Sequence, residues 1–240
     1  MTRREWLWTG VASGIGALLT GANARAQARP AAAAVDHLLL GAADLDEGVN
    51  WFESLTGVRA VAGGSHPGGG TRNALASLGG RRYLEIIAPD PEQATYQFHL
   101  DVRALAEPRV ITWAADTQDI EALARRAAEV GHKLFGPASG SRERPDGVTL
   151  RWRTAGVLTR LGTGPIEPLP FFIAWAPESR HPSSDAPGGC ALERLTFQHS
   201  DPSRLQDALG ALGIDAVVIR GPEPRLVATL KTPRGTVELS

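Results

Sequence analysis

Val35-Asp36-His37-Leu38-Leu39-Leu40 is the stretch on which the fold turns, because a short apolar run of this kind is followed by the same sequel three times. Ala42-Ala43-Asp44 ends the run. A helical segment follows, with apolar residues at Val49, Phe52 and Leu55, and Gly57 stops it. Asp44 with Glu47 three residues later has the form of a capping box, in which the Asp side chain takes up an orphan N–H of the first turn. The pattern returns at Val110-Ile111-Thr112-Trp113, then Ala114-Ala115-Asp116. Its helical stripe is Ile120, Leu123, Ala124, Ala127 and Val130, with Gly131 as the stop. A third copy runs Leu195-Thr196-Phe197, then Asp201, with Leu205, Ala208, Leu209 and Leu212 on one face and Gly213 at the end. These periods predict helices over residues 46–56, 117–130 and 203–212.

Three short strand-like runs follow each helix. They cover residues 59–62, 73–78 and 82–88 in the first copy, 133–135, 148–153 and 171–175 in the second, and 216–220, 226–230 and 236–239 in the third. Each unit therefore reads strand–helix–strand–strand–strand, which makes the chain α+β. One helix covers one face of each sheet, so the other face is either buried or functional, and pairing two units puts open-faced sheets around a cleft. Residues 34–183 are expected to form a pair of such units, and residues 189–240 a third unit packed on the same domain.

Composition narrows the class. Lys+Arg number 25 and Asp+Glu 26, a net charge of −1 that argues against nucleic acid held by a general basic field. Hydrophobic residues at 42% and charged residues at 21% are those of a chain with a real core. The single cysteine, Cys190, excludes an intramolecular disulfide framework and a Cys-rich zinc site, and it has no evident base beside it. Residues 1–28 read as a signal peptide: Arg3-Arg4 precede Trp6-Leu7-Trp8, a Gly-interrupted apolar run follows, and small residues recur at Ala22-Asn23-Ala24 and Ala26-Gln27-Ala28. The paired arginines resemble a twin-arginine signal, the type that exports folded proteins, so a periplasmic or secreted location is expected. No apolar run reaches the roughly 18 residues of a membrane span, so no integral segment is expected after signal removal.

Two strings carry a family resemblance. One is Gly63-Gly64-Ser65-His66-Pro67-Gly68-Gly69-Gly70-Thr71-Arg72-Asn73-Ala74-Leu75, followed by Leu84-Glu85-Ile86-Ile87-Ala88-Pro89-Asp90. The other is Leu169-Pro170-Phe171-Phe172-Ile173-Ala174-Trp175 with His181-Pro182. With Val35-Asp36-His37 opening the first strand, the chain resembles the vicinal oxygen chelate superfamily and, within it, the glyoxalase-like domain proteins, over about residues 34–240. The resemblance implies a lyase, isomerase or dioxygenase acting on a small molecule with a divalent metal ion, its ligands drawn from first and last strands.

His37 and Glu85 fall at those strand positions. Alternation puts Val35, His37 and Leu39 on one face, and Tyr83 and Ile87 flank Glu85 on its own. A carboxylate in an apolar strand is costly unless it is paired or metal-bound. An imidazole and a carboxylate suit iron, manganese, zinc or nickel. Sliding the repeats on one another places Arg109 and Ala174 opposite His37 and Glu85 in the second unit, and neither is a ligand. In the third unit Glu238 lies opposite Glu85, so the candidate metal set is His37, Glu85 and Glu238, with Glu85 also the group that would move a proton. The loop from Gly63 to Thr71 puts His66, Thr71 and Asn73 within reach of a substrate, and Trp175 is a stacking surface for a flat one. His181 reads as a loop residue. His199 lies at a strand end where it could face the cleft. The alternative is a metal-free small-molecule-binding protein, and a homodimer is left open.

Overall fold

The protein is described here from a computed structural model that covers residues 28–129, 131, 134–156 and 167–240. The signal-peptide reading, apart from residue 28, lies outside these residues, as do His132 and Val130. Along the chain come β1 (Arg29–Pro30), α1 (Ala31–Ala34), β2 (Val35–Gly41), α2 (Leu45–Thr56), β3 (Val61–His66), β4 (Thr71–Ser77) and β5 (Tyr83–Pro89). The second unit holds β6 (Arg109–Asp116), α3 (Ile120–Glu129), β7 (Phe135–Glu143), β8 (Thr149–Gly156) and β9 (Phe171–Trp175). The third holds β10 (Ala191–His199), α4 (Pro202–Ala211), β11 (Ile214–Asp215), β12 (Val218–Arg220), β13 (Arg225–Thr232) and β14 (Gly235–Leu239). No described helix is long and apolar enough to cross a membrane.

The helices start where a side chain accepts an orphan N–H. Asp44 accepts from Glu47 N at 3.0 Å, and Asp201 accepts from Arg204 N at 3.2 Å. In α3 the cap is Asp119, which accepts from Ala122 N at 2.8 Å, so the helix begins at Ile120, the first residue of its apolar stripe, and three residues after the expected start at 117.

Units one and two form one eight-stranded sheet in the order β3-β4-β5-β2-β6-β9-β8-β7. In each unit the last strand lies beside and parallel to the first, and the units join through antiparallel β2 and β6. The sheet curls until β3 meets β7. At Gly64 (φ 131°) a Cβ would lie 2.4 Å from the carbonyl oxygen of Glu143, so only glycine lets these edges close. β3 pairs with β4 as far as His66 opposite Thr71, so the loop read over Gly63 to Thr71 shrinks to residues 67–70.

The convex face carries the main core. Leu38, Leu40, Phe52, Ile86 and Trp113 are buried there, and Trp113 meets Phe197 of the third unit at 5.8 Å between ring centroids. The third unit repeats the order of elements but not the order of strands: its sheet runs β12-β10-β13-β14, with the first strand inside and the last at the edge. Val35 also belongs to the convex core, not to the face of His37. A bulge between Val35 and His37, opposite Ala115 and Ala114, inserts Asp36 and shifts the alternation by one residue. The concave face is the cleft, closed at one end by residues 90–108, whose Leu100 and Val102 pack on Leu39, Ile87 and Ile111.

Candidate functional site

The concave face holds a cleft of about 420 Å³. Its apolar wall includes Leu39, Ile87, Phe98, Trp152, Phe171 and Ile173, and its polar end is built around Glu85. Glu85 on β5 pairs with Leu39 on β2, two residues along from the His37–Tyr83 pair, so both polar side chains face the cavity. Tyr83 stacks on the imidazole of His37 at 4.6 Å and 22°.

Glu85 Oε1 accepts from Asn73 Nδ2 at 2.7 Å, and Oε2 stands 3.5 Å from His37 Nε2. His66 Nε2 lies 3.5 Å from Oε1 and 3.4 Å from Asn73 Nδ2, while His66 Nδ1 is held at 2.9 Å by Thr71 Oγ1. Burial pushes the Glu85 carboxyl up. The fields of His66 and His37, the Asn73 hydrogen bond and Arg142 outweigh it and hold the group below its ordinary value, ionised at neutral pH. Burial lowers His66, so that ring is neutral there.

Behind His37 stands Asp36, 1% exposed. Its Oδ1 accepts from His37 Nδ1 at 2.7 Å, and its Oδ2 accepts from His181 Nε2 and Trp175 Nε1, each at 3.0 Å. Burial raises the Asp36 carboxyl, but the hydrogen bonds from His181 and His37, reinforced by their fields, carry it far below the carboxylate range. Asp36 thus holds His37 through Nδ1 and turns Nε2 towards Glu85 and the cavity.

His37, Glu85, His66, Thr71, Asn73 and Trp175 are therefore brought together in one cleft, with the Trp175 indole N–H held by Asp36. Glu238 does not join them. It sits on β14, its side chain 64% exposed, near Arg194 and Thr229. The equivalence with Glu85 fails because the last strand of the third unit lies at the sheet edge instead of beside the first strand. His181 lies in the loop after β9, as expected, but it is buried there against Asp36, and His199 turns away to Asp201 and Glu167. Cys190 is buried, and burial raises its thiol.

Asp36, Tyr83, Arg142 and His181 are the functional residues that the motif reading passes over. The rule that singles out Glu85, a carboxylate inside an apolar strand, points equally to Asp36. His181 lies 145 residues away from its partner and carries no local signal.

The donors do not fit a metal centre. Among the described residues no group of three His, Cys, Asp or Glu side chains is placed to hold an ion. His37, His66 and Glu85 come nearest, but the Asn73 amide hydrogens point at Glu85 Oε1 and His66 Nε2, using the lone pairs that a metal would need. That leaves two donors, one short of the usual catalytic set, beside the cationic Arg142. Removing the amide should show this. Asn73→Ala is expected to raise Zn²⁺ or Ni²⁺ affinity by on the order of tenfold in calorimetric titration, the worth of the one hydrogen bond that no longer competes for Glu85 Oε1. Tight stoichiometric binding by the wild type would mean instead that the donors rearrange around an ion.

The family model described as "glyoxalase-like domain" matches residues 35–232. No functionally curated protein matches the sequence. Among solved structures, a hypothetical protein from Staphylococcus aureus is similar at a TM-score of 0.58 and 16% identity, over 85% of this chain and 83% of that one. Methylmalonyl-CoA epimerase from Mycobacterium tuberculosis matches at 0.40 and 20%, over 63% and 93% of the two chains. A mutant of 4-hydroxymandelate synthase from Streptomyces coelicolor matches at 0.45 and 15%, over 88% and 63%.

Proposed function

We propose, from the premise that this chain belongs to the glyoxalase-like domain family, that the cleft binds a small molecule and moves a proton on it, as a lyase or isomerase does. One observation supports this most. Glu85 is ionised, and among the described residues its Oε2 has no hydrogen-bond donor, facing the cavity and an imidazole oriented by Asp36. The separation of 3.5 Å is too long for a good hydrogen bond, so neither group is used up by the other and both can meet a substrate in the cavity that they line.

In this reading Glu85 takes a proton from carbon next to a carbonyl, and the enolate is held in a cleft shielded by apolar side chains. His37 Nε2 exchanges the second proton with the substrate oxygen, while Asp36 keeps Nδ1 protonated and stabilises the imidazolium as it forms. No metal takes part in these steps. The test is exchange of α-hydrogens for deuterium across a panel of small carbonyl compounds, read by NMR. Exchange above background that disappears in Glu85→Gln supports the reading. Equal exchange by both proteins, or none by the wild type, leaves the cleft as a metal-free binding pocket.

The chain is also proposed to be exported folded, to the periplasm or beyond, on the strength of Arg3-Arg4 and the apolar run behind them. Changing both arginines to lysine should leave precursor in the cytoplasm, seen by fractionation and immunoblotting. Unchanged export would assign residues 1–28 to a general secretory signal.

A further inference from the structure

Arg142, on β7, is 3% exposed and lines the wall of the cleft across the curled sheet from β5. Its guanidinium makes no ion pair with any described residue, and Nη1 is a buried donor without an acceptor. An arginine does not shed its proton to escape such a place. A buried charge without a partner costs several kcal/mol, so a fold that keeps one has a use for it. Glu85 acts on the guanidinium only as a field from farther off, without an ion pair, because its Oε1 is turned to Asn73 and its Oε2 towards His37.

Space for the guanidinium comes from missing side chains. At Gly64 a Cβ would stand 3.3 Å from Nη1, and at Gly63 it would stand 2.3 Å from Asn73 Oδ1. Asn73 Oδ1 is itself a buried acceptor without a donor. The cleft lined by Arg142 thus holds an unused cationic donor, and its lining also includes the aromatic side chains of Trp152 and Phe171.

We propose that Arg142 is the anchor for an anionic group of the ligand, and that the substrate class is a small carboxylic acid with an apolar or aromatic body. The carboxylate lies on the guanidinium, the body lies against the aromatic wall, and the carbon between them lies near Glu85. The inference rests on the reading of this cleft as a small-molecule site, and it adds the charge that the molecule carries.

The probe is 3-phenylpropionate, compared with 3-phenylpropanamide, which has nearly the same shape and no charge. Binding to the wild-type protein is followed by calorimetry. The acid is expected to bind at least about tenfold more tightly than the amide, as for a hydrogen bond to a charged group, and added salt should weaken only the acid. Arg142→Met should abolish the preference. It should also melt at the same temperature as the wild type or higher, because it removes an unpaired buried charge, whereas loss of a structural arginine would lower the melting temperature. Equal binding of acid and amide, or no binding of the acid at millimolar concentration, overturns the proposal; so does a lower melting temperature for Arg142→Met. Glu85→Gln separates the two readings: it should keep the preference for the acid while losing proton exchange. Loss of exchange without any acid preference would retain the proton-transfer reading and remove the anchor, and the reverse result would do the opposite.

Discussion

Glu85→Gln is expected to lower α-proton exchange by about 10²–10⁴-fold, the range for removal of a positioned general base. Gln keeps the shape and an oxygen that can accept from Asn73 Nδ2, so the fold should survive and the loss should fall on kcat more than on KM. The pH profile gives a second readout. The Glu85 carboxyl lies below its ordinary value, so the base is already ionised at neutral pH. Activity assigned to it should therefore persist to lower pH than an ordinary glutamate would allow, and fall only as the depressed carboxyl is protonated. A variant that retains more than a tenth of the exchange rate would take the base role away from Glu85.

Asp36→Asn is expected to cost about 3–5 kcal/mol of stability at pH 7, the usual result of removing one partner from a buried charged network. The substitution keeps the size but replaces an acceptor with an N–H₂ group. Asp36 accepts from His37, His181 and Trp175, so at least one of those donors would then face another donor. The sign with pH follows from the depressed carboxyl. Its contribution is fully present above the unfolded-state value, near pH 4, and is lost as pH falls from there towards the folded-state value. The stability gap between wild type and variant, measured by urea unfolding, should therefore be widest above pH 4–5 and close as the solution is acidified. A gap that widens on acidification would mean that Asp36 is not held as an anion. Proton exchange should also fall, since His37 would lose the acceptor that sets its tautomer.

The local elements were legible because they depend on neighbours a few residues apart. Asp44 and Asp201 cap the helices that they precede in sequence, and Phe52, Leu123 and Leu205 bury the faces that their spacing marks out. His37 and Glu85 could be paired as well, because the first and last strands of one unit lie side by side and place their side chains on a common face. The α+β class and the resemblance to the glyoxalase-like family followed from the same stretches.

What tertiary structure alone decided lies between segments far apart in the chain. A one-residue bulge moved Val35 into the convex core and left Asp36 beside His37, a change that strict alternation does not register. Asp36 then meets His181 and Trp175 only because the parallel β6–β9 pairing and the following turn carry them across the mouth of the cleft. The third unit, alike in sequence pattern, places its last strand at a sheet edge, and that removed Glu238 from the site. Arg142 sits in a strand without an apolar period and is buried by the closing of β3 on β7, a long-range event that Gly64 makes feasible. Sequence determined the units and their caps, since helix period and capping are local; strand order and sheet curl come from contacts between distant segments, and these determined which polar side chains share the cleft.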